Sequence, residues 1–188
     1  MLLAYANWKE ERMTTAILVM IAVMWLPVAL LNLGKGEAKG TGAVCGIVGA
    51  IVILGAIIQS AVFKDNFTAG LLFAHGILYC CVSYALLAGL EDLRSVGNVS
   101  LTTALISTIY MILFYTGGPV MADGTQLVAP SMYLAMACLG YAVLTYEVWL
   151  AFHGKIGAGV VAWSLIIWVP IGLWIPAFYL MAAGKLPF

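Results

Sequence analysis

The chain has 188 residues, 64% of them hydrophobic and only 9% charged, with a mean hydropathy of +1.09. Soluble domains carry about 25% charged residues, and a chain this short builds one modest core, so most of this apolar surface has to face lipid. Eight Lys and Arg against eight Asp and Glu leave no net charge and no basic face for phosphates, which excludes a nucleic-acid partner. The cysteines Cys45, Cys80, Cys81 and Cys138 sit inside apolar runs, where a thiol acts as a small hydrophobe rather than half of a disulfide framework.

The first twelve residues, MLLAYANWKEER, read either as a short amphipathic turn with Tyr5 and Trp8 at headgroup depth or as a flexible tail. Six intervals without Asp, Glu, Lys or Arg then follow. They hold 22 residues after Arg12, 24 after Lys39, 25 after Asp65, 28 after Arg94, 23 after Asp123 and 29 after Lys155. Each exceeds the roughly 20 helical residues needed to cross a bilayer, and a β-barrel would show short alternating segments instead. The expected fold is an all-α membrane protein, a single domain over 1–188 built as a six-transmembrane-helix bundle. The spans fall at about 14–33, 42–63, 67–90, 99–117, 127–152 and 158–183. The connections between them are short, leaving no space for a soluble domain.

An even number of spans puts both termini on one side, with Lys9, Arg12, Lys64 and Lys185. The opposite side carries Lys35, Lys39, Arg94 and Lys155, a tie under the positive-inside rule. Termini outside is the expectation, because three compact loops then all carry positive charge inside.

Ionisable groups at membrane depth are costly and mark function. Here they are few. Glu147 lies near the end of the fifth span. His75, in the middle of the third, reads either as a neutral imidazole bonded to a neighbouring helix or as a pore-lining group. No selectivity filter, catalytic triad, metal-ligand cluster or phosphate loop is present, so neither an enzyme nor a cofactor is expected. Gly42, Gly46, Gly49 and Gly55 read as close-packing positions in the second span. Pro27, Pro170 and Pro176 interrupt the backbone ladder of the first and sixth spans. Tyr133, Tyr141 and Tyr146 in span five, with Trp163, Trp168 and Trp174 in span six, supply aromatic walls, of which Trp168 and Tyr141 lie nearest the middle. Such an interior suits a small uncharged solute, since planar amides pack between aromatic faces and pair with Tyr hydroxyls or Trp N–H groups.

Three segments carry a resemblance. AGLLFAHGILYCCVSYALLAG (69–89), the following EDLR (91–94) and LWIPAFYLM (173–181) resemble the bacterial urea and short-chain amide channel family (AmiS/UreI). The matches include Asp92 and Arg94 in that family's Asp-x-Arg, and Trp174, Ile175, Pro176 and Ala177 in its WIPA segment. The resemblance implies a homo-oligomeric ring, hexameric in the family, in the bacterial inner membrane, with one solute path per protomer and termini facing outward. It implies that Tyr79 is the pore-lining tyrosine of the third helix, with His75 where the urea-specific member has phenylalanine. Trp25, in WLPV, replaces an aliphatic pore residue, and Trp168 stands where the urea-specific member has a buried glutamate. In the fifth helix one register aligns Tyr141, Leu144 and Thr145 with the pore, and another places Glu147 on a family glutamate. Asp92, Arg94, Pro176 and Glu147 are read as structural.

The leading expectation is a passive channel for urea or short amides such as acetamide. With no histidine in the two outward connections, acid gating is not expected. Two alternatives stay open: a proton-coupled secondary transporter using His75 or Glu147, and a non-transporting membrane scaffold.

Overall fold

The computed structural model describes the backbone of residues 2–184 and the side chains of residues 16–184. Six helical rods account for almost all of it. They are α1 (Leu2–Asn32), α2 (Ala38–Ala61), α3 (Asn66–Ala88), α4 (Arg94–Thr116), α5 (Met132–Phe152) and α6 (Ala158–Ala183). From α2 to α6 each rod has 21 to 26 residues and an apolar composition suited to a membrane span. At 1.5 Å per residue even the shortest is about 30 Å long, enough to cross the hydrocarbon layer. The apolar stretch Ala16–Asn32 of α1 adds a sixth. Large apolar side chains such as Ile47, Leu54, Leu105, Trp163 and Ile167 stand exposed on the outside, an arrangement that lipid tolerates and water does not.

Several boundaries differ from those read off the charges. The α1 backbone is already helical from Leu2, so residues 2–12 continue the rod and do not form a separate turn or tail. The side chains of Tyr5 and Trp8 lie outside the described residues, as do those of Lys9, Arg12 and Lys185. The fourth helix starts five residues early, at Arg94, because the Asp92 carboxylate accepts the Arg94 backbone N–H at 3.0 Å and pairs with its guanidinium at 2.7 Å. Both side chains are exposed, and the guanidinium holds the Asp92 carboxyl well below the usual carboxylate range. The fifth helix starts late. Pro130 precedes its N-cap, Ser131, whose hydroxyl accepts from Leu134 N, and residues 117–131 fold into a turn fastened by Met121 N–H to Thr125 O at 2.7 Å.

The turns at one end of the bundle share a construction. Gly34, Gly89 and Gly154 close α1, α3 and α5 with φ of +72°, +64° and +68°. The next residue in each case donates its N–H to the carbonyl five positions back: Lys35 to Leu30, Leu90 to Ala85 and Lys155 to Leu150. This left-handed cap turns the chain tightly and satisfies carbonyls that lipid could not.

Helix α2 packs most extensively on α3, and α4 on α5. Between α2 and α3 the backbones nearly touch. A Cβ on Gly49 would lie 3.0 Å from Cys80 N and 3.1 Å from Gly76 O, and a Cβ on Gly76 would meet Gly49 O at 3.2 Å. Small residues of α4 and α5, among them Ser100, Ala104, Ala135, Cys138 and Ala142, are buried, and Ser100 Oγ crosses between the two helices to donate to Thr145 O at 2.7 Å, while Thr103 and Ser107 reach α3 at Ala74 O and His75. Small residues let membrane helices associate through van der Waals contact. Gly49→Ala should force α2 and α3 apart and destabilise the fold by about 1–3 kcal/mol. Gly159→Ala, whose Cβ meets nothing within 4 Å, should be neutral. Reversible unfolding in mixed detergent micelles measures both.

Candidate functional site

Near the middle of the bundle three helices converge on one aromatic cluster. Trp25 comes from α1, His75 and Tyr79 from α3 one turn apart, and Tyr141 from α5. Trp25 meets Tyr141 edge-on with ring centroids 5.7 Å apart, and His75 meets Tyr141 at 5.5 Å. Trp25, His75 and Tyr79 are each only 5% exposed, so the rings leave almost no surface to a water-sized molecule. The bundle is closed at this level.

Polar atoms run through the cluster as a chain. Trp25 Nε1–H donates to Tyr79 Oη at 3.3 Å, Tyr79 Oη lies 3.5 Å from His75 Nδ1, and His75 Nε2 lies 3.1 Å from Ser107 Oγ on α4. His75 thus reaches the neighbouring helix α4, as one of its two readings expects, and packs against the rings of Tyr79 and Tyr141. The two contacts to Tyr79 are long for hydrogen bonds, which makes this hydroxyl the loosest link.

A second polar feature abuts the first. In α6 the residues Val169–Trp174 are π-helical, between α-helical stretches Ala158–Trp168 and Ile175–Ala183. Pro170 and Pro176 explain the change of winding, since neither has an N–H to donate. An N–H at position 176 would have served Gly172 O or Ile171 O. Two tyrosines of α5 serve them instead: Tyr141 Oη donates to Gly172 O at 3.3 Å and Tyr133 Oη to Ile171 O at 3.5 Å. The aromatic helix five and the proline-broken helix six are therefore partners in one repair. Trp168 lies in a slot between Gly140 and Gly172, where an added Cβ would sit 1.8 Å and 2.2 Å from the indole. Its Nε1 is buried without a hydrogen-bond partner.

The remaining sequence-derived candidates are placed as follows. Leu144 is buried in the same apolar core as Trp25 and Tyr79. Thr145 is buried, its Oγ1 turned back to Tyr141 O at 2.7 Å, and its carbonyl accepts from Ser100 of α4. Trp174 is 40% exposed on the outer face and does not join the cluster. Glu147 lies half-buried further along α5, with Oε2 buried and unpartnered. Pro176 is fully buried in α6, while Asp92 and Arg94 cap α4 at the end of the bundle. The sequence reading missed Ser107, Gly140 and Gly172. Ser100, Thr103 and Ser107 recur at helical spacing in an apolar helix, which marks a polar seam on α4, but its partner becomes visible only when α3 is docked beside it. Among the described residues no three of His, Cys, Asp or Glu gather as a metal site.

Fold and site together define a six-helix integral membrane protein whose centre is closed by neutral aromatic and hydroxyl groups. This architecture is found in known structures. The chain superimposes on the cryoEM structure of the Helicobacter pylori urea channel in a closed state with a TM-score of 0.77 and 19% identity, over 92% of this chain and 100% of that one. Against the crystal structure of the urea channel from the same human gastric pathogen the TM-score is 0.75 and the identity 20%, over 92% and 99% of the two chains. The fold is that of the urea channel, as the resemblance in the third and sixth helices implies. No protein-family model matches the sequence, and no curated protein does.

Removing the Tyr141 hydroxyl leaves Gly172 O without this donor. Tyr141→Phe should destabilise the bundle by about 0.6 kcal/mol and at most about 1.7 kcal/mol, the range of interhelical hydrogen bonds in membranes. Gly140→Ala should cost more, because the Trp168 ring has to leave its slot. Unfolding midpoints of the two variants against the parent protein check the order.

Proposed function

We propose that the protein is a passive channel for small uncharged solutes, urea or short-chain amides such as acetamide. In this reading the closed aromatic cluster is its constriction. The observation that carries the proposal is the composition of that cluster: Trp25, His75, Tyr79 and Tyr141 bring rings and neutral polar tips together at mid-bundle, with no carboxylate or cationic side chain among them. A neutral solute needs walls that strip its water and tips that replace it, whereas an ion would need a counter-charge. The urea-channel fold supports the same reading. Opening means parting Tyr79 from Trp25 and His75, the two longest contacts of the chain. Tyr79, His75, Trp25, Tyr141 and Leu144 are assigned to the path. Trp168 flanks it with a free N–H. Thr145 and Trp174 are assigned to its surroundings.

The proposal places the protein in the bacterial inner membrane with termini outside, assembled as a homo-oligomeric ring of six, each protomer with its own path. The exposed apolar faces of the helices are available for lipid and for neighbouring copies. Asp92, Arg94 and Pro176 serve the fold, and no chemistry on the solute is assigned. Neither His75, buried among rings and Ser107, nor His153, on an inward turn, faces the outer connections, so the channel does not depend on acid for opening.

Stopped-flow swelling of proteoliposomes tests this. Urea and acetamide should enter faster than into protein-free vesicles, with rates at pH 5 within about twofold of those at pH 7.5. Tyr79→Ala should change the rate or the urea-to-acetamide ratio while the oligomer stays intact by native mass. The unpartnered Oε2 of Glu147 favours one competing reading, proton-coupled transport. Uptake that follows an imposed pH gradient and is lost in Glu147→Gln would establish it in place of the passive channel.

A further inference from the structure

The hydrogens in the Trp25–Tyr79–His75–Ser107 chain can be counted. Trp25 has one N–H that only donates, Tyr79 and Ser107 have one O–H each, and a neutral imidazole has one N–H. Four donors share three contacts, at 3.3, 3.5 and 3.1 Å. One hydrogen is left over, and the tautomer of His75 decides where.

With the hydrogen on Nε2, His75 donates to Ser107, Tyr79 donates to Nδ1, and the spare hydrogen belongs to Ser107. That serine is 0% exposed, and a buried donor with no acceptor is costly. Hydroxyls in helices usually avoid this by donating to the carbonyl four residues back. In α4 itself Thr102, Thr103 and Thr108 do so, to Asn98, Val99 and Ala104. Ser107 is turned to His75 instead. With the hydrogen on Nδ1 the spare hydrogen moves to the less enclosed of the two hydroxyls, Tyr79 at 5% exposed against Ser107 at 0%. Ser107 donates to Nε2, and both Nδ1–H and the Trp25 N–H donate to Tyr79 Oη. The spare hydrogen is then the phenolic one, at the centre of the constriction where a solute passes.

We infer that Ser107, acting through His75, keeps both lone pairs of the Tyr79 hydroxyl occupied and its hydrogen free, so that the constriction selects solutes by their carbonyl oxygen rather than by their N–H groups. The inference deepens the channel reading and rests on it. Tyr79 is the contact residue; Ser107 and His75 are positioning residues. Urea and acetamide carry a strong carbonyl acceptor. Ethylene glycol, of similar size and also uncharged, carries none.

Two measurements test it. The chain has two histidines, so nitrogen-15 NMR of histidine-labelled protein in lipid gives two imidazole patterns, with that of His153 identified by His153→Gln. His75 should carry its hydrogen on Nδ1 in the parent protein and in Ser107→Thr, and should become a mixture of tautomers in Ser107→Ala. In proteoliposomes the ratio of acetamide to ethylene glycol flux should fall about three- to tenfold, the equivalent of one neutral hydrogen bond, in Ser107→Ala and Tyr79→Phe, and should persist in Ser107→Thr. An Nε2-protonated His75 in the parent protein, or an unchanged flux ratio in Ser107→Ala, overturns the inference and leaves the channel standing. Flux equal to that of protein-free vesicles for every solute overturns the channel itself, whatever tautomer the NMR finds.

Discussion

Inside a bilayer no water is available to take up a stray hydrogen bond, and that single scarcity organises this molecule from its turns to its centre. Several interruptions of the regular helix have a partner for the groups they free. The three left-handed glycine turns return N–H groups to carbonyls at the helix ends. Ser100 crosses from α4 to the Thr145 carbonyl of α5. Tyr133 and Tyr141 serve the carbonyls that Pro176 cannot. Helix five thus carries its tyrosines for a reason that its own sequence does not contain.

The same rule shapes the centre. Three side chains that could each be solvated in water, Trp25, Tyr79 and His75, are instead bonded to one another and to Ser107. A chain of neutral donors and acceptors is tolerable in an apolar interior, whereas isolated members would not be. It is also alterable, because its longest contacts meet at one hydroxyl. In the proposed channel, a solute with a carbonyl and amide hydrogens takes the place of part of this network. Polarity and closure are two aspects of the same side chains.

Packing prepares that arrangement. Gly49 and Gly76 bring α2 and α3 to backbone contact, which fixes α3 and holds His75 and Tyr79 toward the middle. Gly140 and Gly172 open the slot for the Trp168 indole, which lies beside the π-helical stretch and so beside the carbonyl that Tyr141 grips. The aromatic cluster, the π-helix and the α2–α3 seam are consequently one mechanical unit.

The span count and the helical class were legible in the sequence because charges are excluded from hydrocarbon whatever the helices do next to one another. Lys35, Lys64 and their counterparts therefore bracket the spans directly, although Arg12 lies inside α1 and capping by Asp92 and Ser131 moved two of the boundaries by five residues. Tyr79 and Trp25 were also readable as candidates, since polar-tipped rings in mid-span are few. The identity of their partners was not. Whether Tyr141 or Trp174 joins the centre, that the Thr145 carbonyl meets Ser100 of α4, and that Ser107 meets His75 all depend on rotation and docking of separate helices. Side chains 32 to 54 positions apart carry no local signal of each other, so only the tertiary structure decided which of them share a hydrogen.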